Sequence, residues 1–193
     1  MALKLQTIII STRPGRAGPA IAQWFHEHAK AHGKFDAQLV DLAEMKLPLY
    51  DEPQHPMRRQ YEHEHTKKWA ATVNAADAFA FVMPEYNFSP PPSFVNAIDY
   101  LLWEWQYKPA MFVTYAGVSG GTRSAQAARL QVTTVKMMPI PEGVAIPNFY
   151  AQLQDGKFEG NELNQQGVVA SLNELHKWSE ALAPLREEIR NRK

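Results

Sequence analysis

Two runs of this chain, Ala78-Phe79-Ala80-Phe81-Val82-Met83 and Ala110-Met111-Phe112-Val113-Thr114-Tyr115, are apolar at nearly every position rather than at alternate ones. A strand with one wet face alternates, whereas an unbroken apolar strand needs cover on both faces. Three further short runs read as strands: Leu5 to Ile10, Gln38 to Leu42 and Gly143 to Ile146. Helical stripes lie between them. Ile21, Ala22, Phe25 and Ala29 form the first, ending at Gly33, and residues 62 to 76 form the second. Phe94, Ala97, Ile98, Leu101 and Leu102 form the third, and Ala125, Ala128, Val132 and Val135 the fourth, with Thr122 as its cap. Val168, Leu172, Leu175, Leu182, Leu185 and Ile189 mark one long terminal helix from about Leu163.

Strands alternating with helices predict an α/β three-layer sandwich around a parallel sheet. Right-handed crossovers leave few topologies, and the flavodoxin-like order 2-1-3-4-5 suits five strands in a chain of this length. The 193 residues (1–193) are expected to form a single domain, burying about 70% of the unfolded surface. Residues 43 to 60, broken by Pro48, Pro53 and Pro56, read as an irregular surface segment.

Composition removes several function classes. Lysine plus arginine equals aspartate plus glutamate at 20 each, so no charge bias points to nucleic acid or an anionic membrane. With no cysteine there is no disulfide, thiolate nucleophile or cysteine-held metal cluster. No apolar run approaches the roughly 20 residues that span a bilayer, and a cytoplasmic protein is expected.

In the 2-1-3-4-5 order the loops after strands 1, 3 and 4 meet at one rim, where open α/β sheets bind their ligands. Those three loops are also the unusual ones in composition. The first, Ser11-Thr12-Arg13-Pro14-Gly15-Arg16-Ala17-Gly18, leads into a helix start whose free amides suit a phosphate. It lacks both the nucleotide P-loop and the G-x-G-x-x-G pattern. The second, Pro84-Glu85-Tyr86-Asn87 followed by Phe88, Ser89 and three prolines, sets aromatic rings beside stiffened main chain, as a flat polar-rimmed ring system requires. The third, Gly117-Val118-Ser119-Gly120-Gly121, lets backbone approach a ligand closely. It also matches the G-x-S-x-G nucleophile elbow, with Asp155 and His176 following in hydrolase order. His176 inside an amphipathic helix argues against a serine hydrolase using Ser119. His63 and His65 with Glu62 and Glu64 suggest a metal cluster, but residues two apart on a helix diverge, and a solvated helix start is expected.

Taken together, Ser11 to Arg16, Pro84 to Asn87, Asn96-Ala97-Ile98-Asp99-Tyr100-Leu101 and Gly117 to Gly121 resemble the NADPH-dependent FMN reductase family. That flavodoxin-like group also holds azo-, quinone- and chromate-reducing enzymes. The resemblance covers about residues 4 to 149 and implies FMN and NAD(P)H as cofactors. It implies an enzyme that transfers hydride from NAD(P)H through the flavin to a quinone, an azo or nitro compound, a metal oxyanion or free flavin. It places the phosphate on Ser11, Arg13 and the amides near Ala17 and Gly18; with alanine at 17, affinity rests more on Arg13 and Arg16. It places the ring against Pro84, Glu85, Tyr86 and Asn87, and its pyrimidine edge against Gly117, Ser119, Gly120 and Gly121. No acid or base side chain is implied, and a homodimer is. The competing reading is a flavodoxin-type electron carrier, which the neutral charge balance disfavours.

Overall fold

The computed structural model describes residues 2–191. Its elements alternate as the apolar runs require: β1 (Leu3–Ile9), α1 (Gly18–His32), β2 (Phe35–Asp41), the one-turn α2 (Leu42–Met45), α3 (Glu64–Asn74), β3 (Ala78–Pro84), α4 (Pro92–Asp99), β4 (Pro109–Tyr115), α5 (Thr122–Thr134) and β5 (Met138–Ile146). A two-stranded hairpin follows, β6 (Leu153–Gln154) with β7 (Lys157–Phe158), and then α6 (Glu162–Ala181) and α7 (Ala183–Asn191). Strands β1 to β5 form one sheet in the order β2-β1-β3-β4-β5, every pairing parallel.

The two unbroken apolar strands are the central ones, and their alternation of size sorts the two faces. Phe79, Phe81 and Met83 of β3 join a core with Trp69 and Val73 of α3, Phe94 and Ile98 of α4, and Ala128 and Val132 of α5. Ala78, Ala80 and Val82 face the other way, where Ile21 and Phe25 of α1 and Val168 and Leu172 of α6 pack. Small residues on that face leave room for two helices to lie close. On the opposite face, Trp69 and Trp105 are fully buried, and each indole N–H is satisfied by a carbonyl, Ala97 O at 2.9 Å and Ile98 O at 3.2 Å. Burying such rings stabilises by about 1.5–3 kcal/mol apiece, provided the N–H has a partner.

Three expectations are corrected. The terminal helix is two helices, divided at Leu182, because Pro184 lacks an N–H and cannot continue the ladder. β5 starts earlier than Gly143: Met138 already pairs with Pro109, and prolines 139 and 141 are accommodated because β5 is an edge strand with one unpaired side. His63 caps α3 from an extended conformation, so the rule for residues two apart on a helix does not apply. Its ring stacks on that of His65 at 5.1 Å, and His65 Nε2 lies 3.0 Å from Asp51 Oδ1. The pair anchors the irregular segment to α3, helped by the Tyr100 hydroxyl, which donates to Asp51 Oδ1 at 2.8 Å. Among the described residues, no group of three His, Cys, Asp or Glu is placed to hold a metal ion, and no helix is long and apolar enough to cross a membrane.

Candidate functional site

The C-terminal ends of β1, β3 and β4 are neighbours in the sheet, so the three loops leave from one rim. Side chains tie them together. Arg13 Nε donates to the Tyr86 hydroxyl at 3.1 Å, joining the first loop to the second. The Tyr115 hydroxyl, at the end of β4, donates to Ser11 Oγ at 3.2 Å. Burial pushes that phenol up to about 12, so it remains a proton donor throughout the neutral range. The Glu85 amide donates to Tyr115 O at 3.3 Å.

In the first loop no side chain caps α1, and the amides of Ala17 and Gly18 donate to no acceptor among the described residues. Such amides, aligned with the helix dipole, favour an anion. Two of the residues expected at the phosphate have partners within the chain. Ser11 is fully buried, with its hydroxyl turned beneath the helix start. A Cβ on Gly18 would come within 2.3 Å of Ser11 Oγ, so glycine is what lets α1 begin over that hydroxyl. Arg16 grips Asp41 through Nη1 to Oδ1 at 2.8 Å and Nη2 to Oδ2 at 2.6 Å, and donates to Ser11 O at 2.5 Å. Its fork is spent on shaping the loop, which leaves Arg13 as the loop's exposed cation.

The second loop is a tight hairpin. Tyr86 and Ser89 exchange two backbone hydrogen bonds of 2.9 Å, and the central residues Asn87 and Phe88 have φ of 48° and 69°. That is the mirror-image turn suited to a two-residue connection, usually filled by Asn-Gly. Phe88 takes the glycine place and stands 68% exposed. The Arg123 guanidinium lies over its ring at 3.9 Å.

Glu85 turns its side chain inward. Its side chain is 4% exposed and receives Arg123 Nη2 at 2.6 Å, Arg123 Nε at 2.7 Å and the Arg123 amide at 3.1 Å. Burial opposes its ionisation, but the hydrogen bonds and charge of Arg123, with the Ser119 hydroxyl, hold its carboxyl below the usual glutamate range. Glu85 therefore caps α5 from another loop. Thr122, expected as the cap, is the first helical residue, and the cap position belongs to Gly121 at φ 84°. Pro84 ends β3 buried, and its carbonyl accepts Ser124 Oγ at 3.0 Å.

In the third loop Gly120 and Gly121 have positive φ, and a Cβ on Gly121 would sit 2.7 Å from Thr114 Cβ. Gly117 has open space around it, and Val118 is 90% exposed. Ser119 Oγ accepts the Gly121 amide at 3.3 Å. The hydrolase arrangement is absent. His176 packs edge-on against Phe35 at the start of β2, the opposite rim of the sheet, and Asp155 sits in the β6–β7 turn. A groove of ≈ 590 Å³ between α1 and that hairpin, lined by Trp24, His28 and Phe158, is roomier than the space around the loops. It contains no strand end of the main sheet and no uncapped helix start, so chemistry rather than volume selects the three loops.

Arg123 and Asp41 had escaped the reading of the sequence. Arg123 had left a trace: a cation in the first turn opposes the helix dipole, which implies another partner. Asp41 ends the strand beside β1, directly opposite Ile9.

Residues 3–151 match the family model described as NADPH-dependent FMN reductase. An NAD(P)H-dependent FMN reductase of Schizosaccharomyces pombe is 38% identical over 142 residues, covering 70% of this chain and 71% of that protein. A second, from Saccharomyces cerevisiae, is 34% identical over 155 residues, covering 75% and 80%. Among solved structures, the flavoenzyme NAD(P)H:(acceptor) oxidoreductase FerB of Paracoccus denitrificans superposes with a TM-score of 0.72 at 20% identity, covering 93% of this chain and 98% of that one, a likeness of fold.

Proposed function

The chain belongs to the NADPH-dependent FMN reductase family, and from that membership we propose that its three loops form the FMN site of an NAD(P)H oxidoreductase. The observation that carries the assignment is the uncapped start of α1, where unpartnered Ala17 and Gly18 amides stand beside the exposed Arg13. The residues fit a phosphate there, and the open space at Gly117 suits the edge of a flat ring. When bound, FMN supplies the redox chemistry between NAD(P)H and the acceptor.

The chain's own residues bind and align. Arg13 and the two amides neutralise the phosphate, while Arg16, held by Asp41, and Ser11, held by Tyr115, fix the loop's shape. Tyr86 and Asn87 present ring and main chain from the hairpin, and Glu85 with Arg123 locks that hairpin to the glycine turn. The amides of Gly117, Val118 and Ser119, which donate to no acceptor among the described residues, favour negative charge on a ring edge placed against them. A cleft of ≈ 370 Å³ beside Thr12, walled by Lys46, Leu47, Pro92, Ser93 and Asn96, gives the 43–60 segment a role as a wall for the second substrate. We extend the reading to residues 1–193 as one flavodoxin-like domain, cytoplasmic and homodimeric; Val95 on α4 and Leu130 on α5 are exposed apolar residues available to a second copy.

Purified protein is expected to bind added FMN at micromolar concentration and then to oxidise NADPH with a quinone present. Double-reciprocal plots are expected to be parallel, as both substrates use one ring face in turn. Colourless protein that fails to take up FMN, or intersecting lines demanding both substrates at once, would remove the reading. NADPH oxidation by the isolated protein also separates it from an electron carrier.

A further inference from the structure

Phe88 is the only exposed phenylalanine among the described residues, and it joins neither face of the core. It occupies left-handed backbone, with φ of 69°, at a turn position that ordinarily takes glycine. A bulky residue in that region is an outlier, and such outliers gather at working sites. Turn geometry therefore speaks against a ring at position 88, and core packing does not ask for one.

Arg123 does not account for the ring either. Its guanidinium lies over Phe88 at 3.9 Å, yet Glu85 already fixes it through Nη2 at 2.6 Å and Nε at 2.7 Å. The benefit runs the other way: the cation steadies one face of the ring and leaves the other open. The hairpin beneath has little slack. Tyr86 and Ser89 are bonded to each other twice, Arg13 of the first loop holds the Tyr86 hydroxyl, and Pro90 and Pro91 follow, both buried. Arg123 comes two residues after Gly121, so the ring stands where the second and third loops meet. The third loop adds a further exposed apolar side chain, Val118.

We propose that Phe88 determines specificity for the electron acceptor, its open face stacking on flat aromatic acceptors such as a naphthoquinone; the proposal rests on the reading of the three loops as the FMN site. Two aromatic rings attract each other in offset or edge-on contact beyond the apolar area they bury. A ring held in advance loses little freedom when a ligand settles on it. Phe88 contributes binding and alignment and adds no chemical step. A small inorganic acceptor such as ferricyanide has no flat apolar face and gains nothing from it.

The test uses FMN-loaded protein with NADPH as donor and compares wild type with Phe88→Gly, Phe88→Leu and Phe88→Tyr. Glycine suits the turn, so the first variant is expected to fold. With menadione, KM is expected to rise roughly tenfold in the glycine and leucine variants at nearly unchanged kcat, and to stay near wild type in Phe88→Tyr. Ferricyanide reduction is expected to be the same in every variant. A second readout needs no turnover: calorimetric titration of the oxidised protein with 2-naphthol, a flat ring that accepts no electrons, is expected to show the same rise in Kd. Equal menadione KM in wild type and Phe88→Gly overturns the proposal. So does an FMN Kd that rises in Phe88→Gly, which makes the ring a flavin contact, or a changed sedimentation mass, which makes it an interface between copies. Protein that takes up no FMN removes the three-loop reading and this proposal together, so the two failures are told apart.

Discussion

Replacing Glu85 with alanine tests how the mouth of the site is held. The carboxylate receives three donors from one residue, two from the Arg123 guanidinium and one from its amide. The amide bond is a helix cap in effect, worth about 1 kcal/mol. The ion pair joins a buried carboxylate to a guanidinium half in solvent, so it is discounted for screening to about 1–2 kcal/mol. Glu85→Ala is therefore expected to lower unfolding free energy by about 2–3 kcal/mol, a large share of the ~5–15 kcal/mol typical of a domain. Arg123, once released, can hydrate, so no stranded buried charge adds to the loss. Urea denaturation of the FMN-free protein measures it, and a flavin fluorescence titration is expected to show weaker FMN binding as the hairpin loosens. The pH dependence isolates the charge. Glu85 has a lowered folded-state value, so its ionic contribution is complete above the unfolded value of about 4.3 and is lost as pH falls through the folded one. The stability gap between wild type and Glu85→Gln is then constant from pH 6 to 8 and closes in acid. A gap that does not narrow as the carboxylate is protonated in acid, or Glu85→Ala as stable as wild type at pH 7, refutes the capping argument.

Arg13→Ala is expected to weaken FMN by roughly 1.5–3 kcal/mol, about ten- to 150-fold in Kd, with unfolding unchanged because the side chain is exposed; unaltered FMN retention counts against the phosphate assignment. Gly18→Ala drives a methyl into the buried Ser11 hydroxyl and is expected to cost about 1–3 kcal/mol in urea melts while lowering FMN affinity; a neutral outcome means the helix start yields without strain. Ser119→Ala is expected to keep most NADPH turnover, and wild type to resist labelling by a fluorophosphonate at Ser119; a labelled Ser119 would revive hydrolase chemistry.

The sheet was legible because burial on both faces leaves its mark strand by strand, as in Ala78 to Met83, and needs no knowledge of partners. The loops were legible as locations, since the order of strands places their ends together. What the local sequence does not show is which distant residue each side chain pairs with. Arg16 is taken by Asp41, 25 residues on, and Glu85 by Arg123, 38 residues on. Local sequence reports what a group can donate, while folding decides which acceptor is nearest. The break at Leu182 was signalled by Pro184, but apolar spacing alone ran through it.

The tip of the second hairpin has a bearing on how such a protein is improved. Asn87 and Phe88 both occupy left-handed backbone, at roughly 1–2 kcal/mol for a residue with a side chain, and the bulky ring bears the worse strain. Selection for heat resistance alone would thus favour glycine at 88. The sturdier variant would have no aromatic plate for Arg123 to lie on, and its guanidinium would keep only Glu85 as a partner at that tip.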